Sequence, residues 1–148
     1  MKSVEYMKEA LTLAGESQKK GEIPVGAVVV KDGEIIGRGY NFREKEKSPI
    51  GHAEIMAITA AAKTLGDWRL NGCDIYVTLE PCPMCAGAII NSRIDRVFFG
   101  ALDKEMGCFG SKADFSVMNF GTGPEIHAGI MENECKEILK EFFKNKRK

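Results

Sequence analysis

Two short segments restrict the fold of this chain more than anything else in it: His52-Ala53-Glu54 and, further along, Pro81-Cys82-Pro83-Met84-Cys85. Each stands at the start of a stretch with helical character. Gly51 to Leu65 is alanine-rich and carries Ile55, Met56, Ile58 and Thr59, which predicts a helix that buries most of its surface and ends at Gly66. Cys82 to Asn91 predicts a short helix opening just after a proline. A Cys-x-x-Cys pair on such a turn puts both sulfurs on one side, close enough to share a tetrahedral ion. The unpaired N–H groups and partial positive charge of a helix N-terminus favour thiolate, the form that binds metal. His52 can add a neutral nitrogen, and soft sulfur with imidazole selects zinc. For the three to reach one ion, the N-termini of two helices must meet.

The remaining elements are compatible with that demand. Residues 3 to 20 place Val4, Met7, Leu11 and Ala14 at helical spacing, and Gly21 stops the helix. Val25 to Lys31 and Glu34 to Tyr40 flank Asp32-Gly33, a strong hairpin signal. The charged run Asn41 to Pro49 predicts a loop. Cys73 to Leu79 and Arg96 to Phe99 read as strands, Glu125 to Ala128 as a short edge strand, and Glu132 to Lys144 as an amphipathic helix through Cys135, Ile138, Leu139, Phe142 and Phe143. Gly100 to Gly123 holds five glycines and has room for a short helix. Helices alternating with strands imply an α/β fold with helices packed on the faces of a sheet.

With 148 residues and neither repeat nor linker, the chain is expected to form one domain over residues 1–148. Hydrophobic and charged fractions of 44% and 28% exclude a disordered chain. Lys plus Arg equals Asp plus Glu, 21 each, so the protein does not coat nucleic acid through bulk charge. The segment from Lys136 is an exception, with Lys136, Lys140, Lys144, Lys146, Arg147 and Lys148 against Glu137 and Glu141. No apolar run reaches the roughly 18 residues of a membrane span, so no membrane partner is expected. Met1-Lys2-Ser3-Val4-Glu5 does not resemble a secretory signal, and a cytoplasmic location is expected. The cysteines number five, which argues against a disulfide framework; Cys73 and Cys135 read as small buried hydrophobes. Trp68 and the methionines read as packing residues.

Ligand number separates a structural metal site from a catalytic one. His52, Cys82 and Cys85 make three, and Cys73, Cys108, Cys135 and His127 have no recognisable ligand spacing that would close the site. Three ligands with a nearby carboxylate is the arrangement of metal-assisted hydrolysis, in which Glu54 would move the protons. A structural zinc site would leave Glu54 without a task, and a thioredoxin-like redox pair would place the Cys-x-x-Cys in a different βαβ context.

Together these segments resemble the zinc-dependent cytidine and nucleoside deaminase superfamily, whose His-x-Glu and Pro-Cys-x-x-Cys signature is itself a documented example of base-deaminase chemistry. Gly39-Tyr40-Asn41, Thr78-Leu79-Glu80-Pro81-Cys82, Cys85-Ala86-Gly87-Ala88-Ile89, Ser92-Arg93-Ile94, Phe99-Gly100-Ala101 and Glu141-Phe142-Phe143 resemble its bacterial tRNA-specific adenosine deaminase branch. The resemblance implies a three-layer α/β/α sandwich of the cytidine deaminase-like type with a mixed sheet of about five strands. It implies one zinc per subunit on His52, Cys82 and Cys85, with Glu54 as acid and base. It also implies a substrate pocket formed by Asn41, by the backbone of Ala53, by the apolar wall Ile23, Pro24 and Val25, and by Asp103 beside the ribose. The substrate implied is the wobble adenosine of a tRNA anticodon stem-loop, and the assembly a homodimer. Asn41 also reads as a turn residue and Asp103 as a cap or loop acid. Met118 to His127 departs from the branch, with Phe120 where a histidine is expected. Two other readings therefore stand beside the first: a deaminase of a free base or nucleoside such as guanine or cytosine, and a non-catalytic RNA-binding relative.

Overall fold

The computed structural model describes residues 2–121 and 123–146; Met1, Thr122 and the Arg147 and Lys148 of the basic tail lie outside the described residues. Five strands form one mixed sheet: β1 (Gly26–Lys31), β2 (Glu34–Tyr40), β3 (Cys73–Leu79), β4 (Arg96–Ala101) and β5 (Glu125–Ala128). Their order is β2-β1-β3-β4-β5. β1 runs antiparallel to both neighbours, whereas β3, β4 and β5 are mutually parallel. The β1–β2 hairpin turns on Asp32 and Gly33, both with positive φ (51° and 79°), the geometry of a type I′ turn.

Helices cover both faces. α2 (Ala53–Leu65) and α3 (Pro83–Asn91) lie on one side and bury Ala53, Ala57, Ala61, Ala86 and Ile89 against Val29, Ile75, Val77, Val97 and Phe99. α1 (Lys2–Lys19) and α4 (Glu132–Lys146) lie on the other, with Met7, Ala10 and Cys135 over Val28, Val30, Tyr76 and Phe98. Complete burial of a side chain such as Ile75 or Phe99 contributes about 1.5–3 kcal/mol each. This is the three-layer α/β/α sandwich expected.

Close approach sets where α2 sits. A Cβ on Gly37 would overlap the Ala57 carbonyl, and one on Gly39 would overlap the Ala53 carbonyl. Two glycines on β2 therefore let the helix backbone rest against the strand. α2 and α3 both open one or two residues later than the periodicity predicts. His52 and Cys82 have extended backbones (ψ 150° and 175°) and occupy the N-cap positions. Gly66, with φ 70°, closes α2 in the left-handed conformation, as its position predicts.

Cys73 and Cys135 are fully buried, as expected. Two packing expectations are corrected. Trp68 is 53% exposed and lies against the guanidinium groups of Arg69 and Arg93 rather than in a core. Met7 is buried, but Met106 and Met118 are exposed, because the glycine-rich stretch after β4 runs over the surface. That stretch contains one short 3-10 helix, Phe115–Val117, capped by the Asp114 carboxylate accepting from the Ser116 N–H at 3.0 Å. Among the described residues, no helix is long and apolar enough to cross a membrane.

Candidate active site

The two helix N-termini meet at the C-terminal ends of β3 and β4. His52 Nδ1 lies 3.6 Å from Cys82 Sγ and 3.5 Å from Cys85 Sγ. Zinc bonds of about 2.3 Å to sulfur and about 2.0 Å to nitrogen, at a tetrahedral angle, separate the two ligand atoms by about 3.5 Å. The cluster therefore has the spacing that zinc requires. Among the described residues it comprises these three donors only, so Cys73, Cys108, Cys135 and His127 do not close it. His127 instead pairs with Glu125 at 2.6 Å and stacks on Phe98.

Electrostatics divide the two thiols. The hydrogen bond from Cys85, assisted by His52, pulls Cys82 down to about 4. The same hydrogen bond, with burial, pushes Cys85 upward. Its hydrogen bond to Cys82 also raises His52 above the usual imidazole range. Glu54, in the first turn of α2, is only 4% exposed, and burial pushes its carboxyl up to about 7. A carboxyl balanced near neutrality can both take and return a proton.

A cavity of about 460 Å³ opens over this cluster, with His52, Glu54 and Cys82 in its lining. Ile23 and Val25 line it, but Pro24 does not; Pro24 is fully buried. In extended backbone alternate side chains point to opposite sides, so the apolar wall is made by the first and third residues of that segment. Ala53 is buried and is not on the wall. Its N–H donates to Asn41 Oδ1 at 3.0 Å, which caps α2 where the His52 side chain does not. Asn41 is thus a cap as well as a wall residue, and its amide NH2 group is left for a ligand. Asp103 also lines the cavity, while its Oδ1 accepts from the N–H groups of Glu105 and Met106, both at 3.1 Å. The loop-cap reading of that residue therefore holds.

Other lining residues escaped the sequence reading. Phe142, Phe143 and Lys146, on the last turns of α4, reach the mouth. Glu22 and Glu80 are buried acids, each 2% exposed. Glu22 accepts from the Glu44 and Lys45 N–H groups, at 3.0 and 2.8 Å, and so fixes the loop after β2. A charged residue between apolar neighbours, as in Leu79-Glu80-Pro81, was the available signal.

Comparison with known proteins fits this geometry. Residues 1–101 match the family described as the cytidine and deoxycytidylate deaminase zinc-binding region. The chain belongs to this zinc-dependent deaminase family. The deaminase is 49% identical, over 97% of its length and 89% of the relative's, to the tRNA-specific adenosine deaminase of Bacillus subtilis strain 168. Among solved structures, it superposes with a TM-score of 0.88 and 40% identity on one from work on A-to-I editing by tRNA:A34 deaminases at the wobble position, covering 91% of this chain and 99% of that one. It also matches guanine deaminase from Bacillus subtilis at 46% identity, with a TM-score of 0.63 over 66% of this chain and 62% of that one.

Proposed function

We propose that this chain, folded as a single domain over residues 1–148, hydrolytically converts the wobble adenosine of a tRNA anticodon to inosine and releases ammonia in the cytoplasm. The observation that carries the chemistry is a three-donor cluster with a buried carboxyl beside it, lining a cavity large enough to admit a nucleobase. The family relationship and the likeness to tRNA deaminases along nearly the whole chain support the substrate.

His52, Cys82 and Cys85 would hold zinc, and when bound it supplies a Lewis acid that makes water a nucleophile near neutral pH. Glu54 takes a proton from the attacking water, delivers it to the purine ring nitrogen, and then assists the leaving amino group. The Asn41 amide NH2 donates to the base edge, and Ile23 and Val25 cover the ring faces and exclude bulk water. Asp103, on the cavity wall, would accept from a ribose hydroxyl. A base must leave its stack to enter such a cavity, which suits an anticodon loop.

The homodimer belongs to the same reading. Trp68 is exposed and shares a groove with Ile55, Ile58 and Ala62 of α2 and Ala88 of α3. A second copy covering this groove would bury it. Trp68→Glu is expected to shift sedimentation from dimer to monomer; a monomeric parent would remove this assignment.

The deciding assay offers the zinc-loaded protein an anticodon stem-loop with a wobble adenosine, and in parallel free adenine, guanine, cytosine and their nucleosides. Inosine in the stem-loop arm alone is expected. Ammonia from the free compounds alone would overturn the RNA reading and favour a base deaminase, for which the guanine deaminase likeness is the supporting observation. Loss of neither compound nor adenosine would leave a non-catalytic RNA-binding relative.

A further inference from the structure

We propose that Glu80 is a positioning residue for the substrate cavity: its carboxylate hangs the 103–111 loop, which carries Asp103 and Met106, on the turn that carries Cys82. The functional part of this inference rests on the deaminase reading above.

Glu80 follows β3 directly and stands two residues before Cys82. Its carboxylate is out of water, which is unfavourable unless donors replace the lost hydration. Four donors do so, and all come from one loop. Oε1 accepts from the Asp103 N–H at 3.1 Å and from the Ser111 hydroxyl. Oε2 accepts from the N–H groups of Phe109 at 3.1 Å and Ser111 at 3.0 Å. A further bond, from the Cys108 N–H to the Pro81 carbonyl at 2.9 Å, ties the same loop to the same turn.

The loop is also held by bonds of its own. The Gly107 N–H donates to the Asp103 carbonyl at 2.8 Å, and the Lys112 N–H donates to the Gly107 carbonyl at 2.8 Å. The Asp103 carboxylate holds the 103–106 turn through the N–H groups of Glu105 and Met106. Glu80 thus fixes the placement of an internally bonded wall relative to the metal ligands. A Cβ on Gly107 would overlap both the Glu80 carboxyl and the Asp103 carbonyl, so the approach is as close as backbone permits.

This arrangement separates charge and acceptor character from volume. Glu80→Gln keeps the size but turns an NH2 group toward two of these four donors. In the zinc-loaded variant, amide hydrogen exchange across residues 103–111 is expected to accelerate at least about tenfold, the loss of roughly one good hydrogen bond to a charged group. Zinc should stay at one per chain. KM for the anticodon stem-loop should rise about tenfold while kcat changes less than about threefold, since the wall moves and Glu54 does not. A residue that served only general stability would raise exchange throughout the sheet and leave KM in place.

Exchange and KM unchanged in Glu80→Gln would overturn the proposal. So would zinc loss with a protected loop, which would assign Glu80 to the metal site instead. Should Glu80→Gln not fold, Gly107→Ala disturbs the same contact from the loop side and leaves the carboxylate present. Accelerated exchange confined to the loop is expected there, and parental exchange would overturn the proposal. A parent protein inactive on the stem-loop would defeat the substrate reading alone, because the exchange measurement judges the positioning without turnover.

Discussion

Glu54 is held out of water two residues from a metal donor, and burial carries its carboxyl to about 7. A fixed structural ion would not call for such a group; proton transfer at neutral pH would. Glu54→Gln is therefore expected to bind zinc at one per chain and to lose about 10²- to 10⁴-fold in kcat, the usual size of a general acid–base contribution. Metal analysis beside an inosine assay checks both halves, and full turnover would take Glu54 out of the mechanism. Cys135 shows the opposite fate of a titratable group. Its side chain is fully buried against β4, and burial pushes the thiol up to about 12. At pH 8 it stays protonated, and thiolate is the form that reacts. Iodoacetamide should leave Cys135 unmodified in the native protein at pH 8 and modify it after unfolding, as read by peptide mass spectrometry. Native labelling at the unfolded rate would contradict its burial.

At the scale of elements, the site depends on how closely α2 lies on β2. The space for a Cβ at Gly39 is filled by the Ala53 carbonyl and the Ala57 N–H, one turn from His52 and Glu54. Gly39→Val must displace the start of α2, and is expected to weaken zinc affinity at least about tenfold, as disturbing the support of a ligand does elsewhere. Gly15→Ala is the control. It meets open space within α1 and should stabilise the fold by about 0.5–1 kcal/mol with zinc affinity unchanged. Equal zinc affinity in Gly39→Val and the parent would show that α2 is placed by something else. The same locality explains what could be read in advance. The hairpin turn, the Gly66 stop and the two motif helices are written in neighbouring residues; the turn and the stop appear where expected, and the helices open within two residues of the expected starts. The placement of the stretch after β4 could not be read, because Glu80, far away in sequence, anchors it through long-range hydrogen bonds. Helical periodicity likewise placed Phe142 and Phe143 on an apolar face of α4 but not over the cavity; Phe142 is buried and Phe143 is exposed.

Over the whole molecule, a net charge of zero conceals an uneven distribution. Lys140, Lys144 and Lys146 stand exposed along α4, and the end of that helix lines the cavity mouth through Phe143 and Lys146. Arg147 and Lys148 follow in sequence, outside the described residues. A nucleotide entering the cavity would bring its flanking phosphates to the mouth, where Lys146 stands. Binding through such contacts releases counterions, so affinity falls with salt by a slope of about 0.7–0.9 per phosphate neutralised. Replacing Lys144, Lys146, Arg147 and Lys148 with glutamine should weaken stem-loop binding at low salt and flatten the slope by that amount for each contact removed. Zinc should stay at one per chain, because the change does not touch the metal donors. Binding titrations across a salt series measure both the affinity and the slope. A parental slope in the variant would make the tail a solvated helix end and move the phosphate contacts to another part of the rim, with Arg43, which also lines the cavity, the next cation to replace.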